Sequence, residues 1–270
     1  MSSADASHKE KLAPPAPKNE AWTLIVAAAG KGSRLGWHAP KTLYPVAGKP
    51  IVDHILETFA PFCAHTVLVV SQSGGPAIRA HLAARDNVRF AVQVRQIGMA
   101  DAVLTGLYEC RTSFCACVWG DQPYFSLFGV RAAMQALHDD PGLSLALPVI
   151  PRTSAYIHIQ PDAQGGISHI LQKREGDLLP EPGISDCSMF FFRTPEMRKK
   201  LSSALQQGQL LGKNTGEHNF LPLFPLLRKV MLLPISETEY SPGINTPEEA
   251  AAVETMLKRK RGHQVEYSPK

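Results

Sequence analysis

Short apolar runs alternate with amphipathic segments of helical length along the first part of the chain. The apolar runs predict strands at residues 22–28, 66–71, 88–94, 116–119 and 143–149. Between them, apolar residues recur at helical spacing and predict helices at 51–59, 76–84, 100–110 and 127–138. This alternation is typical of βαβ units, so the sequence predicts an α/β fold with a Rossmann-like, doubly wound, mostly parallel sheet.

The pattern changes after residue 154. Residues 156–160 and 166–171 resemble a hairpin joined by the polar segment 161–165, and 188–193 predict another strand. Helices are predicted at 195–206 and 219–227, a strand at 229–233, and a last helix from Thr246, with Pro247 at its first position. We expect this half to form a smaller, β-rich lobe.

Composition and charge set the limits of the folded part. With 270 residues, 44% of them hydrophobic, the chain can bury one α/β core, which we place at 21–258 between a disordered arm at 1–20 and a basic flexible tail at 259–270. Residues 258–270 hold five basic residues and one glutamate, and their net charge of +4 equals that of the whole chain. The folded body is therefore neutral, and we expect no nucleic-acid partner.

The sequence lacks two features that would indicate a location outside the cytoplasm. The sequence has no apolar run of ~18 residues, so no membrane partner is expected. Its five cysteines show no C-x-x-C spacing, which predicts free thiols and a cytoplasmic protein.

A glycine loop follows the first predicted strand. The segment reads LIVAAAGKGSRLG from Leu24 to Gly36, and its glycines and cations, Lys31 and Arg34, are typical of a phosphate-binding loop. The spacing fits neither a P-loop nor the G-x-G-x-x-G dinucleotide fingerprint, because the third glycine comes one residue late.

The loop does match A-A-G-x-G-[ST]-R, and it is followed by Pro40-Lys41 and by Gly48-Lys49-Pro50. With these motifs the chain resembles the sugar-phosphate nucleotidyltransferases, in particular the uridyltransferase domain of UDP-N-acetylglucosamine pyrophosphorylase, from about residue 24 to 254. The resemblance implies an enzyme that joins a nucleoside triphosphate, UTP in the first place, to a phosphorylated small molecule such as a sugar 1-phosphate. Mg²⁺ is the implied cofactor and pyrophosphate the implied product.

The resemblance also assigns roles to particular residues. Arg34 and Lys41 would contact the triphosphate and the transition state, and Asp121 in a Gly-Asp-x-Pro segment would bind the metal together with Asn245. Gln93 would pair with the base, Gly98 would let the backbone approach it, and Met99 stands where the family has a threonine. The remaining nucleotide-binding residues would be Ala27, Ala28, Ala29, Gly30, Lys31, Gly32 and Ser33.

The acceptor half departs from the family pattern. Tyr156, Gln172, Asp186 and Ser188 occupy the acceptor-binding positions, but Gln172 replaces a glutamate, Asp186 an asparagine and Ser188 a glycine. We therefore expect an acceptor other than N-acetylglucosamine 1-phosphate. Two alternatives remain: a cytidylyltransferase using CTP with a sugar, polyol or phosphonate acceptor, and a non-catalytic nucleotide-sensing module.

Overall fold

Strands and helices alternate through the first half of the chain. The protein is described by a computed structural model that covers residues 19–30 and 32–266. In chain order the strands are β1 (Trp22–Ala27), β2 (Pro45–Val46), β3 (Lys49–Pro50), β4 (His65–Ser71), β5 (Val88–Gln93), β6 (Phe114–Trp119), β7 (Leu145–Arg152), β8 (Ile157–Pro161), β9 (Ile167–Gln172), β10 (Gly183–Asp186), β11 (Met189–Arg193) and β12 (Val230–Pro234). The α-helices are α1 (Ile51–Phe59), α2 (Gly75–His81), α3 (Met99–Glu109), α4 (Leu127–Asp139), α5 (Thr194–Gln206) and α6 (Pro247–Glu266).

The central sheet has the strand order β10-β7-β11-β6-β1-β4-β5, with β12 paired to β7. β1 runs parallel to β4 and β6, β4 runs parallel to β5, and β12 runs parallel to β7. Only β10 and β11 join this sheet antiparallel to their neighbours within the described residues. The prediction of an α/β fold with a mostly parallel sheet is confirmed.

Helices cover both faces of the sheet because alternate residues of each buried strand point to opposite sides. In β1, Leu24 and Val26 pack in the layer that contains residues of α1, α4 and α6. Ile25 packs in the other layer, with residues of α3 and α5. Because both faces are covered, each central strand reads as an unbroken apolar run in the sequence.

Parallel pairing brings the ends of β1 and β6 together. Ala27 and Trp119 are register partners, so the loops that follow them leave the same edge of the sheet. Ligands of open α/β sheets bind at this carboxyl edge. The first glycine loop and the Gly120-Asp121 segment are therefore neighbours.

The smaller lobe is built on the predicted hairpin. β8 and β9 pair antiparallel, with Ile157 opposite Gln172, and the pairing shifts register at Gln160 and Pro161. The hairpin packs against β10, which was not predicted as a strand. Nor were the short strands β2 and β3 predicted.

One helix prediction was wrong. Instead of an α-helix at 219–227, the chain forms a 3₁₀ helix at Leu221–Leu226. Its sequence is Leu-Pro-Leu-Phe-Pro-Leu, and each proline lacks the N–H that an α-helical ladder needs. The α-helix prediction gave more weight to the spacing of the apolar residues in this segment than to its two prolines.

The two ends of the chain need separate mention. Most of the arm predicted at 1–20 and the last four residues lie outside the described part, so both remain predictions. α6 continues to Glu266, into the segment expected to be a flexible tail. None of the helices in the described part of the chain is long and apolar enough to cross a membrane.

Candidate active site

Two glycines let the loops at the sheet edge come close to one another. Gly32 has φ of +65°, and a Cβ at this position would lie 2.8 Å from Lys41 Cβ. A Cβ on Gly120 would lie 2.8 Å from the carbonyl oxygen of Ala27. Glycine at both positions is therefore required by close packing between loops. Gly30 differs, because a Cβ there would meet nothing within 4 Å.

Four polar side chains from three distant parts of the sequence meet at this edge. The Lys41 ammonium donates to Asp121 Oδ2 at 2.6 Å and to Asn245 Oδ1 at 2.9 Å. Arg34 Nη2 also donates to Asn245 Oδ1, at 3.2 Å. The Lys41 side chain is only 12% exposed, so its charge lies largely within the loops. The residues predicted as catalytic and metal-binding thus form a single cluster.

Backbone contacts hold Asp121 and Asn245 next to each other. The Ile244 N–H donates to the carbonyl oxygen of Asp121 at 2.8 Å. A Cβ on Gly243 would lie 2.9 Å from Asp121 Oδ1, so a side chain here would displace the Asp121 carboxylate. The loop before α6 is therefore shaped around Asp121.

The start of α6 fixes the position of Asn245. The Glu249 carboxylate accepts from the N–H groups of Asn245 and Thr246 at 2.6 and 3.1 Å. In return, Thr246 Oγ1 accepts from the Glu249 N–H at 3.3 Å. This reciprocal capping satisfies backbone donors at the helix start. α6 begins at Pro247, as the sequence predicts.

The Asp121 and Asn245 oxygens fit a small divalent cation. Both oxygens already contact one cation, the Lys41 ammonium. Mg²⁺ prefers oxygen ligands, keeps several waters and uses one or two protein oxygens together with substrate phosphates. Residues 19–30 and 32–266 hold no cluster of three or more histidine, cysteine, aspartate or glutamate side chains suited to a metal. A two-ligand site completed by phosphate oxygens is the arrangement that this cluster can support.

A pocket of about 380 Å³ opens beside the cluster. It is lined by the end of β1 and its loop, by the segment between β5 and α3, and by two charged residues from later in the chain: Ala27, Ala29, Gly30, Gln93, Gln96, Gly98, Met99, Ala102, Arg174 and Glu217. An adjoining cavity of about 120 Å³ is lined by Ala28, Lys41, Trp119 and Asp121, among others. The two cavities share Ala27, Gly30 and Met99, and most of the predicted nucleotide-binding residues that the structure describes line one or both of them: Ala27, Ala28, Ala29, Gly30, Gln93, Gly98 and Met99.

The structure explains the glycine at position 98 by a contact other than the predicted approach of the backbone to the base. Its φ is +134°, and a Cβ would lie 2.4 Å from backbone atoms of His218. The backbone that approaches Gly98 therefore belongs to the protein's own later loop. Lys31 lies outside the described residues, and for Ser33 only the backbone is described, at the start of a 3₁₀ turn. Their predicted roles remain predictions.

The predicted acceptor residues are only partly brought together. Asp186 and Ser188 share a hydrogen bond from the Ser188 N–H to Asp186 Oδ1 at 2.8 Å. Burial raises the pKa of Asp186. Tyr156 is 57% exposed, and Gln172 is buried. Within the described residues, no hydrogen bond or ion pair joins Tyr156 or Gln172 to Lys41.

Ser188 has φ of +58°, in the left-handed region that favours glycine. The resemblance places a glycine here, and the backbone still adopts the conformation that suits one. A serine in this conformation is strained and adds a side chain beside the buried Asp186 carboxyl.

Tyr240 and Arg152 lie near the predicted acceptor and metal residues, and sequence reasoning did not single them out. The Arg152 guanidinium lies 5.0 Å from the centre of the Tyr240 ring. Burial raises the pKa of Tyr240 to about 12; the nearby Arg152 guanidinium opposes this rise, and the carboxyl groups of Asp186 and Asp121 add to it. Tyr240 therefore lies near Asp186 and Asp121. No motif marks it in the sequence.

A buried glutamate, also missed, anchors the loop at 212–219. Glu175 accepts from Thr215 Oγ1 at 2.6 Å, from Asn219 Nδ2 at 2.9 Å, and from the N–H groups of Asn214 and Thr215 at 3.0 and 3.3 Å. Burial would raise the pKa of Glu175, but these hydrogen bonds overcome it and lower the pKa to about 2. The Glu175 carboxylate thus holds the loop at 212–219 in place by accepting several hydrogen bonds from it.

The anchored loop forms one wall of the pocket. The His218 N–H donates to the carbonyl oxygen of Ile97 at 2.7 Å, and the Ala100 N–H donates to that of His218 at 2.9 Å. The neighbouring Glu217 lines the pocket and accepts from Arg174 Nη1 at 3.1 Å. The small lobe is connected in this way to the segment between β5 and α3.

Topology and site together define a class. A doubly wound sheet with a glycine loop at its carboxyl edge is typical of proteins that bind nucleotide phosphates there, and here a lysine–carboxylate–amide cluster lies beside that loop. The described geometry contains groups for charge neutralisation and ligand positioning around one depression.

Comparison with known proteins names the family. The profile of the MobA-like NTP transferase domain matches residues 24–177, more than half of the chain, and the protein belongs to this family. The resemblance to sugar-phosphate nucleotidyltransferases is thereby confirmed.

Several curated relatives carry the name bifunctional protein GlmU. The protein of Chromohalobacter salexigens is 27% identical over 248 residues, covering 90% of this chain and 53% of the relative. That of Cupriavidus necator is 33% identical over 156 residues, covering 56% of this chain and 33% of the relative. The chain therefore spans about half, or less, of the length of these relatives.

A solved structure shares the fold. The structure of CMP:2-keto-3-deoxy-manno-octonic acid synthetase complexed with CTP superposes with a TM-score of 0.66 at 16% identity. The match covers 89% of this chain and 99% of the other. Likeness at this level of identity shows a common architecture.

Proposed function

We propose that the protein transfers a nucleotidyl group from a nucleoside triphosphate to a phosphorylated small molecule and releases pyrophosphate. The observation that carries the proposal is the meeting of Arg34, Lys41, Asp121 and Asn245 beside the pocket. Membership of the MobA-like NTP transferase family supports it.

The bond changes are simple. An oxygen of the acceptor phosphate attacks the α-phosphorus, the bond from that phosphorus to the α–β bridging oxygen breaks, and pyrophosphate leaves with the electron pair. A phosphate monoester is already ionised near neutral pH, so the protein need not remove a proton. Catalysis then rests on positioning and on stabilising the charge that develops.

The side chains of the cluster suit these tasks. Lys41 and Arg34 neutralise phosphate oxygens, and the Gly30 region lets the backbone approach them. Asp121 and Asn245 would hold Mg²⁺, which neutralises phosphate charge when bound. Because Lys41 now contacts both of these oxygens, we expect its ammonium to turn towards the phosphates when nucleotide and metal are present.

The acceptor is proposed to differ from N-acetylglucosamine 1-phosphate. Three departures from the family pattern, Gln172, Asp186 and Ser188, fall in the acceptor half, whereas Arg34, Lys41, Asp121 and Asn245 are kept. A purely nucleotide-sensing role would not need the Lys41–Asp121–Asn245 arrangement, so we favour an enzyme. Five free, buried cysteines support a reducing compartment such as the cytoplasm.

A pyrophosphate-release screen tests this function. The full-length protein is incubated with each of the four common nucleoside triphosphates, with and without phosphorylated sugars, polyols and phosphonates, at several Mg²⁺ concentrations. We expect release that depends on both an acceptor and Mg²⁺, with the conjugate detected by mass spectrometry. Nucleotide binding without turnover across a broad acceptor panel would favour a sensor.

A further inference from the structure

The Arg152 guanidinium, at the carboxyl edge of the sheet, has no hydrogen-bond partner among the described residues. Arg152 is the last residue of β7 and is partly buried. Its guanidinium lies over the Tyr240 ring, 5.0 Å from the ring centre. Within residues 19–30 and 32–266, no hydrogen bond or salt bridge engages any of its N–H groups. A contact with an aromatic ring uses the face of a guanidinium and leaves the five N–H donors at its edge free to bind.

The sheet places Arg152 on the acceptor side of the catalytic cluster. β11 lies between β6 and β7 and runs antiparallel to both, so β6 and β7 are parallel and end at the same edge. β10 pairs with the end of β7, with Gly183 opposite Arg152 and Asp186 opposite Val149. The nucleotide pocket is lined instead by the ends of β1 and β5, which lie on the other side of β6. Arg152 therefore belongs to the acceptor half of this edge.

One loop connects Arg152 to the predicted metal site. Tyr240 lies between β12 and α6, and the same loop continues to Gly243 and Ile244. Gly243 packs against the Asp121 carboxylate, and the Ile244 N–H donates to the Asp121 carbonyl oxygen at 2.8 Å. Tyr240 therefore holds the Arg152 guanidinium beside the loop that shapes the metal site.

A guanidinium without a polar partner at this place suits an anionic ligand. Arginine stays charged, and its planar fork of N–H groups matches two oxygens of a carboxylate or a phosphate. The reacting phosphate of the acceptor is proposed to lie at the cluster, where Lys41 and Mg²⁺ neutralise it. Arg152 is available for a second anionic group further along the same molecule. N-acetylglucosamine 1-phosphate has no second anionic group, in keeping with the expected change of acceptor.

We propose that Arg152 selects an acceptor that carries a second anionic group, a carboxylate or a phosphate, besides the phosphate or phosphonate that attacks the nucleotide. The proposal rests on the nucleotidyl-transfer function proposed above and adds the charge of the acceptor to it. Arg152 contacts the second anion, and Tyr240 is a positioning residue that holds the guanidinium by its face. The second anion takes no part in the bond changes.

Matched acceptors test this selection. Glucose 1-phosphate is compared with glucuronic acid 1-phosphate and with glucose 1,6-bisphosphate, which add a carboxylate and a phosphate, respectively. Two further pairs add a carboxylate to a smaller molecule: sn-glycerol 3-phosphate with 3-phosphoglycerate, and 2-aminoethylphosphonate with 2-amino-3-phosphonopropionate. Pyrophosphate release by the full-length protein, with each common nucleoside triphosphate and Mg²⁺, gives kcat/KM for every acceptor.

We expect at least one acceptor with the added anion to exceed its counterpart about 10-fold or more in kcat/KM, the scale of a hydrogen-bonded contact between charged groups. The sugar series shows whether the second anion is a carboxylate or a phosphate. Counterparts that are transferred as well as the acceptors with the added anion overturn the proposal and leave the nucleotidyl-transfer function standing.

Substitutions of Arg152 test whether this residue makes the selection. Arg152→Gln removes the charge, so the advantage of the added anion should fall towards one, through a higher KM for that acceptor. Arg152→Lys keeps a charge without the planar fork and should retain part of the advantage. Arg131→Gln is a matched control that should retain the wild-type ratio. The Arg131 guanidinium also lies over a ring, 5.6 Å from the centre of Phe62, in the connection that enters β4 at the opposite edge of the sheet.

The remaining results decide between the selection and the function. An unchanged ratio in an Arg152→Gln protein with the wild-type melting temperature overturns the role of Arg152. If Arg152→Gln fails to fold, the comparison of Arg152→Lys with wild type decides instead. Calorimetric binding of an acceptor with the added anion that weakens in the Arg152 variants, without pyrophosphate release, would count against the proposed function alone. Neither binding nor release with any acceptor of the panel would overturn both.

Discussion

Lys41 can lie at the sheet edge because Gly32, which has no side chain, packs against it. Gly32 lies against Lys41 Cβ, where any Cβ would clash, and the Lys41 ammonium extends to Asp121 and Asn245. A largely buried ammonium is stable here because two oxygens accept from it. The same contacts place the charge beside the depression where phosphates are proposed to bind.

Asp121→Asn tests the metal site at the scale of one residue. The change keeps the shape of the side chain but removes its charge, so Mg²⁺ affinity should fall and turnover should be lost at ordinary Mg²⁺ concentrations, with partial recovery at raised Mg²⁺. The measurement is initial rate across a Mg²⁺ titration. Asp53→Asn is a matched control, because Asp53 pairs with His81 and Arg85 at the surface. An Asp121→Asn titration that overlays the wild type rules out metal binding by Asp121.

Residues in linear motifs could be predicted, and residues without motifs could not. Arg34, Lys41, Asp121 and Asn245 belong to recognisable segments, and the structure brings them within hydrogen-bonding distance. The orientation of Gln93 depends on Asp101, which lies eight residues later in the chain and to which no motif assigns a role. That partnership is decided by how β5 and α3 pack, which residue types and spacing do not reveal.

At the scale of elements, a 3₁₀ turn at Lys173–Glu175 links the small lobe to the pocket. It follows β9 directly and presents Glu175 to the loop at 212–219. The loop in turn pairs with the segment before α3 through His218. A structural change in the β8–β9 hairpin can therefore be transmitted to the proposed nucleotide pocket through the Glu175 carboxylate.

Glu175→Gln should destabilise the protein in a pH-dependent way. At neutral pH we expect a loss of about 1–3 kcal/mol in the free energy of unfolding, since charged hydrogen bonds in a buried network are removed. The pKa of Glu175 lies at about 2 in the folded state, below its ordinary value of 4.5, so its stabilisation is complete above pH 4.5 and is lost as pH falls towards 2.

Urea unfolding of wild type and Glu175→Gln between pH 2 and 7 measures this difference. The two unfolding free energies should converge as pH falls from 4.5 to 2. A constant difference across that range would show that the Glu175 charge does not stabilise the loop.

Whether a segment forms a strand or a helix could be predicted from the sequence where a single hydrophobic pattern dominated that segment. The parallel strands are buried on both faces, so β1, β4 and β6 stand out as apolar runs. β10 does not, because Gly183-Ile-Ser-Asp186 is short, half polar and preceded by prolines. It becomes a strand through pairing with β7, a tertiary contact that local propensity does not encode.

At the scale of the whole molecule, the ends of the chain should be dispensable for catalysis. Deleting residues 1–20 and 259–270 should leave kcat and KM unchanged, because neither end carries core-forming residues in its sequence and Leu257 is the last α6 side chain described as buried. Steady-state kinetics of the truncated and full-length proteins provide the measurement. A large rise in KM would instead implicate the basic end in substrate capture.

The acceptor half should reject the acceptor that the sequence resemblance would suggest. We expect negligible formation of UDP-N-acetylglucosamine from UTP and N-acetylglucosamine 1-phosphate, because Asp186 and Ser188 alter the buried end of the acceptor region. The assay is product formation followed by chromatography, with a wider acceptor panel as the comparison. Efficient synthesis, with kcat/KM of ~10⁴ M⁻¹s⁻¹ or more, would refute this expectation.

The central claim is that Lys41 stabilises charge during nucleotidyl transfer, and one comparison tests it most directly. Acceptor-dependent pyrophosphate release is measured for wild type, Lys41→Ala and Lys229→Ala. Lys229 is a matched control, since its ammonium lies 2.6 Å from Asp140, the same length as the Lys41–Asp121 pair, just before β12 and away from the cluster. We predict that Lys41→Ala lowers kcat about 10²–10³-fold with an unchanged melting temperature, and that Lys229→Ala retains wild-type rates. A folded Lys41→Ala protein that releases pyrophosphate as fast as the wild type would contradict the claim.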